Sequence, residues 1–182
     1  MKLFSELGYP QFTTRLLADR CGISRTVIYR YYSTKREVFD AVLDYITENF
    51  RQEFQQFVQE NPDRPASEKI QMIMLRLIDF IEQNVAFLNA LVDFLIDRRR
   101  DGENVRRRVM RYTVYLRLTL ARLIREGTER GEFKAIHYTQ VAEMFFDELI
   151  GAAMQLSVTN THSPEGFRAR LALGLSVLRN YS

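Results

Sequence analysis

Apolar residues along this chain recur at spacings of three and four over long stretches, and no stretch alternates apolar and polar positions with a period of two. That pattern is helical. The breakers agree, since only 4 prolines and 8 glycines punctuate 182 residues. Thr13 heads a short helix over 13–21, Gly22 ends it, and Ser24 caps a second short helix over 25–32. Thr34 and Glu37 have the spacing of a capping box. A third helix therefore starts near Lys35 and continues through Val38, Val42, Ile46, Phe50, Phe54 and Phe57. The stretch "NPDRPAS" (61–67) is a loop, and further helices are expected over 67–84, 85–97, 104–130, 138–159 and 164–180. The last of these opens with Ser163 as its cap, Pro164 at the first helical position and Glu165 in the first turn. The expected fold class is all-α, with a helix-turn-helix domain over 1–45 and a larger helical domain over 46–182. The two join inside the helix from Lys35, without a flexible linker.

The two short helices, joined by "CGIS", make a helix-turn-helix in which Gly22 supplies the tight turn and Ala18 permits a close crossing. Leu17, Ile23, Ile28 and Tyr32 form its expected apolar underside. Arg25, Thr26, Tyr29 and Arg30 are left facing outward. Arginine pairs with guanine through two hydrogen bonds, and tyrosine and threonine hydroxyls reach phosphate oxygens, so this face suits the DNA major groove. Lys35 adds to the case. A cation at a helix N-terminus opposes the macrodipole, and makes sense there when an anion such as a phosphate binds beside it. The formal charge of +3 is modest, so local distribution carries the signal: Lys2, Arg15, Arg20, Arg25, Arg30, Lys35 and Arg36 outnumber Glu6, Asp19, Glu37 and Asp40. Each feature alone has a plainer explanation. Basic helix faces are usually just solvated, and helix-turn-helix geometry also occurs in domains that never meet DNA. The conjunction favours DNA.

The stretch "LFSELGYPQFTTRLLADRCGISRTVIYRYYSTKREVF" resembles the DNA-binding domain of the TetR family of bacterial transcriptional repressors. The resemblance lies in the "LFxxxGY" helix end, Thr13, "LADRCGIS", "IYRYY" and "STKREVF". It implies an all-helical homodimer that reads double-stranded operator DNA and binds a small effector in its C-terminal domain. Carried onto this chain, it makes Ser24 to Tyr31 the recognition helix, sets Tyr29, Tyr31 and Lys35 near the DNA backbone, and gives Thr13 a phosphate. The candidate DNA-binding residues are thus Thr13, Ser24, Arg25, Thr26, Tyr29, Arg30, Tyr31 and Lys35. The sequence departs from the family at Thr26, where Gly or Pro is common, and at Tyr32, where Phe is usual. Cys21 replaces the usual alanine and is expected to be a small buried hydrophobe. The family's first helix normally begins well before the point where this sequence opens, so either the chain is trimmed, or its start was placed late, or its first helix is short.

The remainder carries no nameable motif. A lone cysteine fits a reducing compartment, and the absence of a signal peptide or long apolar run makes the cytoplasm, with no membrane association, the expectation. No phosphate loop, nucleophile elbow or carboxylate pair stands out, so an enzyme is not expected. No cofactor or metal is expected, since His137 and His162 lack ligand spacing. The basic runs Arg98–Arg100 and Arg106–Arg108 are read as solvated helix ends, with an anion-binding rim as the rival. Met and aromatic residues in the middle helices suggest an apolar ligand wall of Phe80, Phe87, Tyr112, Tyr115 and Phe145. Apolar repeats in the last two helices suggest a dimer interface of Val141, Phe145, Leu149, Phe167, Leu171, Leu175 and Leu178. The function expected is a repressor released from its operator by an apolar or amphipathic effector. The alternative is a helical ligand-binding or adaptor module of the same fold that no longer binds an operator.

Overall fold

The structure, a computed structural model, describes residues 1–102, 104–134, 137–159 and 163–180, with side chains excepted at 105, 106, 108, 112, 159, 164 and 180. Every element among the described residues is helical: α1 (Lys2–Gln11), α2 (Thr14–Cys21), α3 (Arg25–Tyr31), α4 (Lys35–Glu60), α5 (Ala66–Gln83), α6 (Val85–Arg100), α7 (Val105–Glu129), α8 (Tyr138–Met154), a π-helical turn (Gln155–Thr159) and α9 (Pro164–Asn180). No helix is long and apolar enough to cross a membrane among the described residues. Packing divides the chain into two compact units, Met1–Phe50 with Asn84–Tyr112, and Arg51–Gln83 with Thr113–Ser182.

This division differs from the expected 1–45 and 46–182, because α6 packs on α1. The reason is aromatic. Gly8 adopts φ 70°, which breaks the helical path of α1 and turns Tyr9 inward. Tyr9 then meets Phe39 and Phe94 edge-on, at 5.4 and 5.2 Å between ring centroids. Phe4 stacks on Phe12 at 3.9 Å, and Phe39 stacks on both Phe87 and Phe94. Rings from α1, α4 and α6 thus form one buried cluster. Each buried ring contributes about 1.5–3 kcal/mol of hydrophobic stabilisation.

In the second unit α5 packs on α8 and α9, and α8 on α9. Ile70, Ile73, Met74 and Ile78 form the buried stripe of α5. The start of α5 is held by polar groups. Glu132 accepts from the N–H groups of Ala66 and Ser67 at 2.7 and 2.9 Å and from the Ser67 hydroxyl. Burial opposes the charge on Glu132, but these hydrogen bonds and the nearby Arg179 outweigh it and hold the carboxyl below its ordinary value. The fully buried Lys69 ammonium donates to the Pro62 carbonyl at 3.0 Å and to Glu126 at 3.2 Å.

Candidate nucleic-acid interface

Helix α2 begins at its cap Thr13, whose hydroxyl oxygen accepts from the Leu16 N–H at 3.2 Å. It ends at Gly22, left-handed at φ 65°, where Ile23 N–H bonds back to the Ala18 carbonyl at 3.1 Å. Ser24 then caps α3 by accepting from Val27 N–H at 3.4 Å. Ala18 and Ile28 are buried between the helices, and Ile28 is the only buried side chain of α3. The rest of α3 faces solvent. Arg25, Thr26, Val27, Tyr29, Arg30 and Tyr31 are all exposed, with Tyr31 at 71%. Leu17 and Tyr32 pack against the aromatic cluster.

Two expectations about this motif are corrected. Ile23 is exposed, because it lies in the turn itself rather than on the underside. Cys21 is exposed as well; as the last residue of α2 it points away from the crossing that buries Ala18.

Lys35, at the head of α4, is half-buried. Its ammonium lies 3.4 Å from the carbonyls of Tyr9 and Pro10 and 4.4 Å from the centre of the Tyr9 ring. It therefore ties α4 to the end of α1. The capping box forms, with Glu37 N–H donating to Thr34 at 3.2 Å and Ser33 N–H donating to the Glu37 carboxylate at 2.7 Å. Behind this, the Tyr9 phenol donates to Asp97 of α6 at 3.3 Å, and Arg36 donates to Asp97 at 3.1 Å and pairs with Asp101. Burial, followed by the Asp97 charge, pushes the Tyr9 phenol up to about 12. The Asp101 hydrogen bond raises Arg36. Arg98 is not a solvated helix end, since it pairs with Asp40 at 2.9 Å and is mostly buried. Arg99, Arg100 and Arg107 are exposed, and the side chains of Arg106 and Arg108 lie outside the described ones.

Two residues on this surface were missed. Thr14 is buried and donates to the Tyr29 phenol oxygen at 3.1 Å. Val27 is 40% exposed on the outward side of α3. Thr14 stands beside the capping Thr13, and nothing in the sequence separates their roles until the α2–α3 crossing is known. Val27 reads as one more core valine.

The residues expected to form a ligand wall fall in both units. Phe87 belongs to the aromatic cluster of the first unit, whereas Phe80, Tyr115 and Phe145 belong to the second. Tyr112's side chain lies outside the described ones. Phe80 and Tyr115 are half-buried, and Tyr115 edges a shallow groove between α4 and α7. Phe145 is buried beneath α9, where a Cβ added at Gly174 would lie 3.1 Å from its ring.

Most of the residues expected at a dimer interface are packed inside the chain. Phe145, Leu149, Phe167, Leu171, Leu175 and Leu178 are buried within their own chain, and Val141 is half-buried. They hold α8 and α9 in the unit. The apolar residues that α8 and α9 leave exposed are Met144, Ile150, Met154, Leu173 and Val177. Several of them line a groove of about 790 Å³ between the two helices, which the Arg170–Glu148 pair spans at 2.6 Å. His137 is exposed at its rim, and His162 lies outside the described residues.

A capped helix-turn-helix with a basic, hydroxyl-bearing outer face is the arrangement by which helix-turn-helix proteins present a recognition helix to the DNA major groove. Residues 1–42 match the model of the bacterial regulatory proteins, tetR family. The nucleoid occlusion factor SlmA of Marinomonas sp. (strain MWYL1) is 30% identical over 119 residues, which cover 64% of this chain and 57% of that protein. SlmA of Vibrio cholerae is 24% identical over 124 residues, covering 68% and 61%. The chain thus spans less than two thirds of the length of these curated relatives. Among solved structures, a TetR transcription regulator from Haloarcula marismortui superposes with a TM-score of 0.82 at 21% identity, over 97% of this chain and 92% of that one. The regulator FadR from Bacillus subtilis, solved in complex with stearoyl-CoA, gives 0.76 at 16% identity, over 98% and 93%. These likenesses are of fold.

Proposed function

We propose that this chain acts as a homodimer that binds operator DNA and is released from it by an apolar or amphipathic small molecule. The observation that carries the proposal is the outer face of α3. Around the one buried side chain, Ile28, the helix exposes Arg25, Thr26, Tyr29, Arg30 and Tyr31 together. Arg25 and Arg30 would read base edges, and Thr13, Ser24, Tyr29, Tyr31 and Lys35 would meet phosphates. Dimerisation would use the exposed face of α8 and α9, where Met144, Leu173 and Val177 leave apolar surface in water. The effector would be taken by the second unit, with Phe80, Tyr115 and Phe145 as candidate wall residues. The stearoyl-CoA bound to the FadR neighbour supports an apolar effector class. Ligand would act only through its different affinities for the DNA-binding and released states.

Selection of duplexes from a random-sequence pool by the purified chain, followed by footprinting, tests this. Two protected half-sites spaced by one helical turn (~34–36 Å) or a multiple of it are expected. A pool that shows no enrichment overturns the proposal. A thermal-shift panel of fatty acids and their CoA thioesters tests the effector class.

The aligned relatives favour one further reading, in which DNA occupancy serves nucleoid occlusion rather than transcription. Mapping of bound chromosomal sites decides between them. Sites at promoters, with transcript changes on deletion, support the regulator. Dispersed sites with unchanged transcripts support the second reading.

A further inference from the structure

The geometry points to Thr14 as a positioning residue that aims the Tyr29 phenol at a DNA phosphate, an inference that rests on reading the helix-turn-helix as an operator-binding surface. Thr14 is the first residue of α2 and only 8% exposed, whereas Tyr29, on α3, is 53% exposed. Their hydroxyl oxygens lie 3.1 Å apart, with Thr14 as donor. One end of this pair is therefore locked in the crossing of the two helices and the other stands at the surface.

A phenol carries one O–H to donate and lone pairs to accept with. With Thr14 donating into the phenol oxygen, the Tyr29 hydrogen turns away from Thr14, toward solvent. A phosphate oxygen can only accept. A chain of hydroxyls that ends on such a group has one polarity, in which Thr14 donates to Tyr29 and Tyr29 donates to the phosphate. Each donation polarises the next, so the outer hydrogen bond is stronger than an isolated phenol would make. The buried hydroxyl also holds the ring, which otherwise loses rotational freedom only when DNA arrives. Thr14 never touches DNA in this arrangement. Thr13, its neighbour, is already engaged in capping α2 and does not share the role.

The test uses the full chain and the fluorescein-labelled duplex that wild-type protein enriches from a random pool. Affinities are measured for wild type, Tyr29→Phe, Thr14→Val, the double variant and Thr14→Ser. Each backbone phosphate of one half-site is then replaced in turn by a neutral methylphosphonate. Tyr29→Phe is expected to weaken binding about tenfold and Thr14→Val about threefold, as for loss of one charge-assisted bond and of its support. The double variant should bind like Tyr29→Phe, and Thr14→Ser like wild type. At one methylphosphonate position the differences among all five proteins should vanish, which a role of Thr14 in folding alone would not produce. If Thr14→Val does not fold, Thr14→Ala against Thr14→Ser supplies the same comparison. Unchanged affinity without the Thr14 hydroxyl, or losses that multiply in the double variant, overturn the role of Thr14 and leave operator binding standing. Failure of wild type to enrich any duplex overturns operator binding itself, and this inference with it.

Discussion

Nη2 of Arg98 lies 2.9 Å from Oδ2 of Asp40, and the two side chains are only 12% and 18% exposed. The pair joins the end of α6 to the first turns of α4, with the guanidinium also 5.3 Å from the Phe94 ring centre. Asp40→Ala leaves a mostly buried guanidinium without this carboxylate. We expect a loss of about 3 kcal/mol, the lower end for breaking a buried pair, read as a lower denaturation midpoint in urea with unchanged slope. A midpoint equal to wild type would show that Arg98 finds water instead.

Glu132 predicts an acid-dependent contribution to stability. Its folded carboxyl titrates below the ordinary value of 4.5. Its stabilisation is therefore complete above the unfolded pKa and is lost as pH falls through the folded one. Glu132→Gln should cost about 1.5–3 kcal/mol at pH 7, as for hydrogen bonds to a charged group. The gap between variant and wild type should narrow below pH 4.5. Denaturant titrations at pH 7 and at acid pH measure it, and a gap independent of pH would count against this role.

The exposed and buried faces of α8 and α9 predict opposite behaviours. Leu173→Glu and Val177→Glu fall on exposed positions and should yield folded monomers by sedimentation, with weakened operator binding. Leu171→Glu places a charge at a position 1% exposed and should unfold the chain instead. Folded dimers in the Leu173 and Val177 variants would exclude this face as the interface.

At the DNA surface, Arg30→Ala should relax base preference at one position, at a cost of about 1–3 kcal/mol of discrimination. Lys35→Ala should weaken all sequences alike and lower the salt slope by about one unit. Because the Lys35 ammonium also packs over Tyr9, this variant should lose about 0.5–1 kcal/mol of stability as well. Competition titrations at several salt concentrations separate the two effects. Identical base preference in wild type and Arg30→Ala would remove Arg30 from base reading.

Local chemistry was legible in the sequence, and pairing across the chain was not. Thr13, Ser24 and Thr34 start helices and Gly22 ends one through bonds within a few residues, so their roles can be read from neighbours alone. The buried side of α3 follows from Ile28 in the same way. In α8 and α9, apolar residues occupy two adjacent stripes, and period alone does not say which stripe the chain itself covers. The longer repeat, Phe167 through Leu178, proved to be the covered one. Arg98 among three arginines looks like solvated charge until Asp40 is brought beside it. Phe87 looks like a ligand wall until Phe39 stacks on it at 5.5 Å.

The aromatic cluster has a practical consequence for building hybrid regulators. Phe4, Tyr9 and Phe39 come from the first fifty residues, but the rings they pack against, Phe87 and Phe94, come from α6. A graft that joins residues 1–45 to the body of another protein would carry half of an interlocked set and leave the other half behind. The transferable piece is discontinuous, Met1–Phe50 together with Asn84–Tyr112. Exchange of outer-face residues between relatives is therefore best done within α3 alone, which leaves every ring of the buried cluster in place.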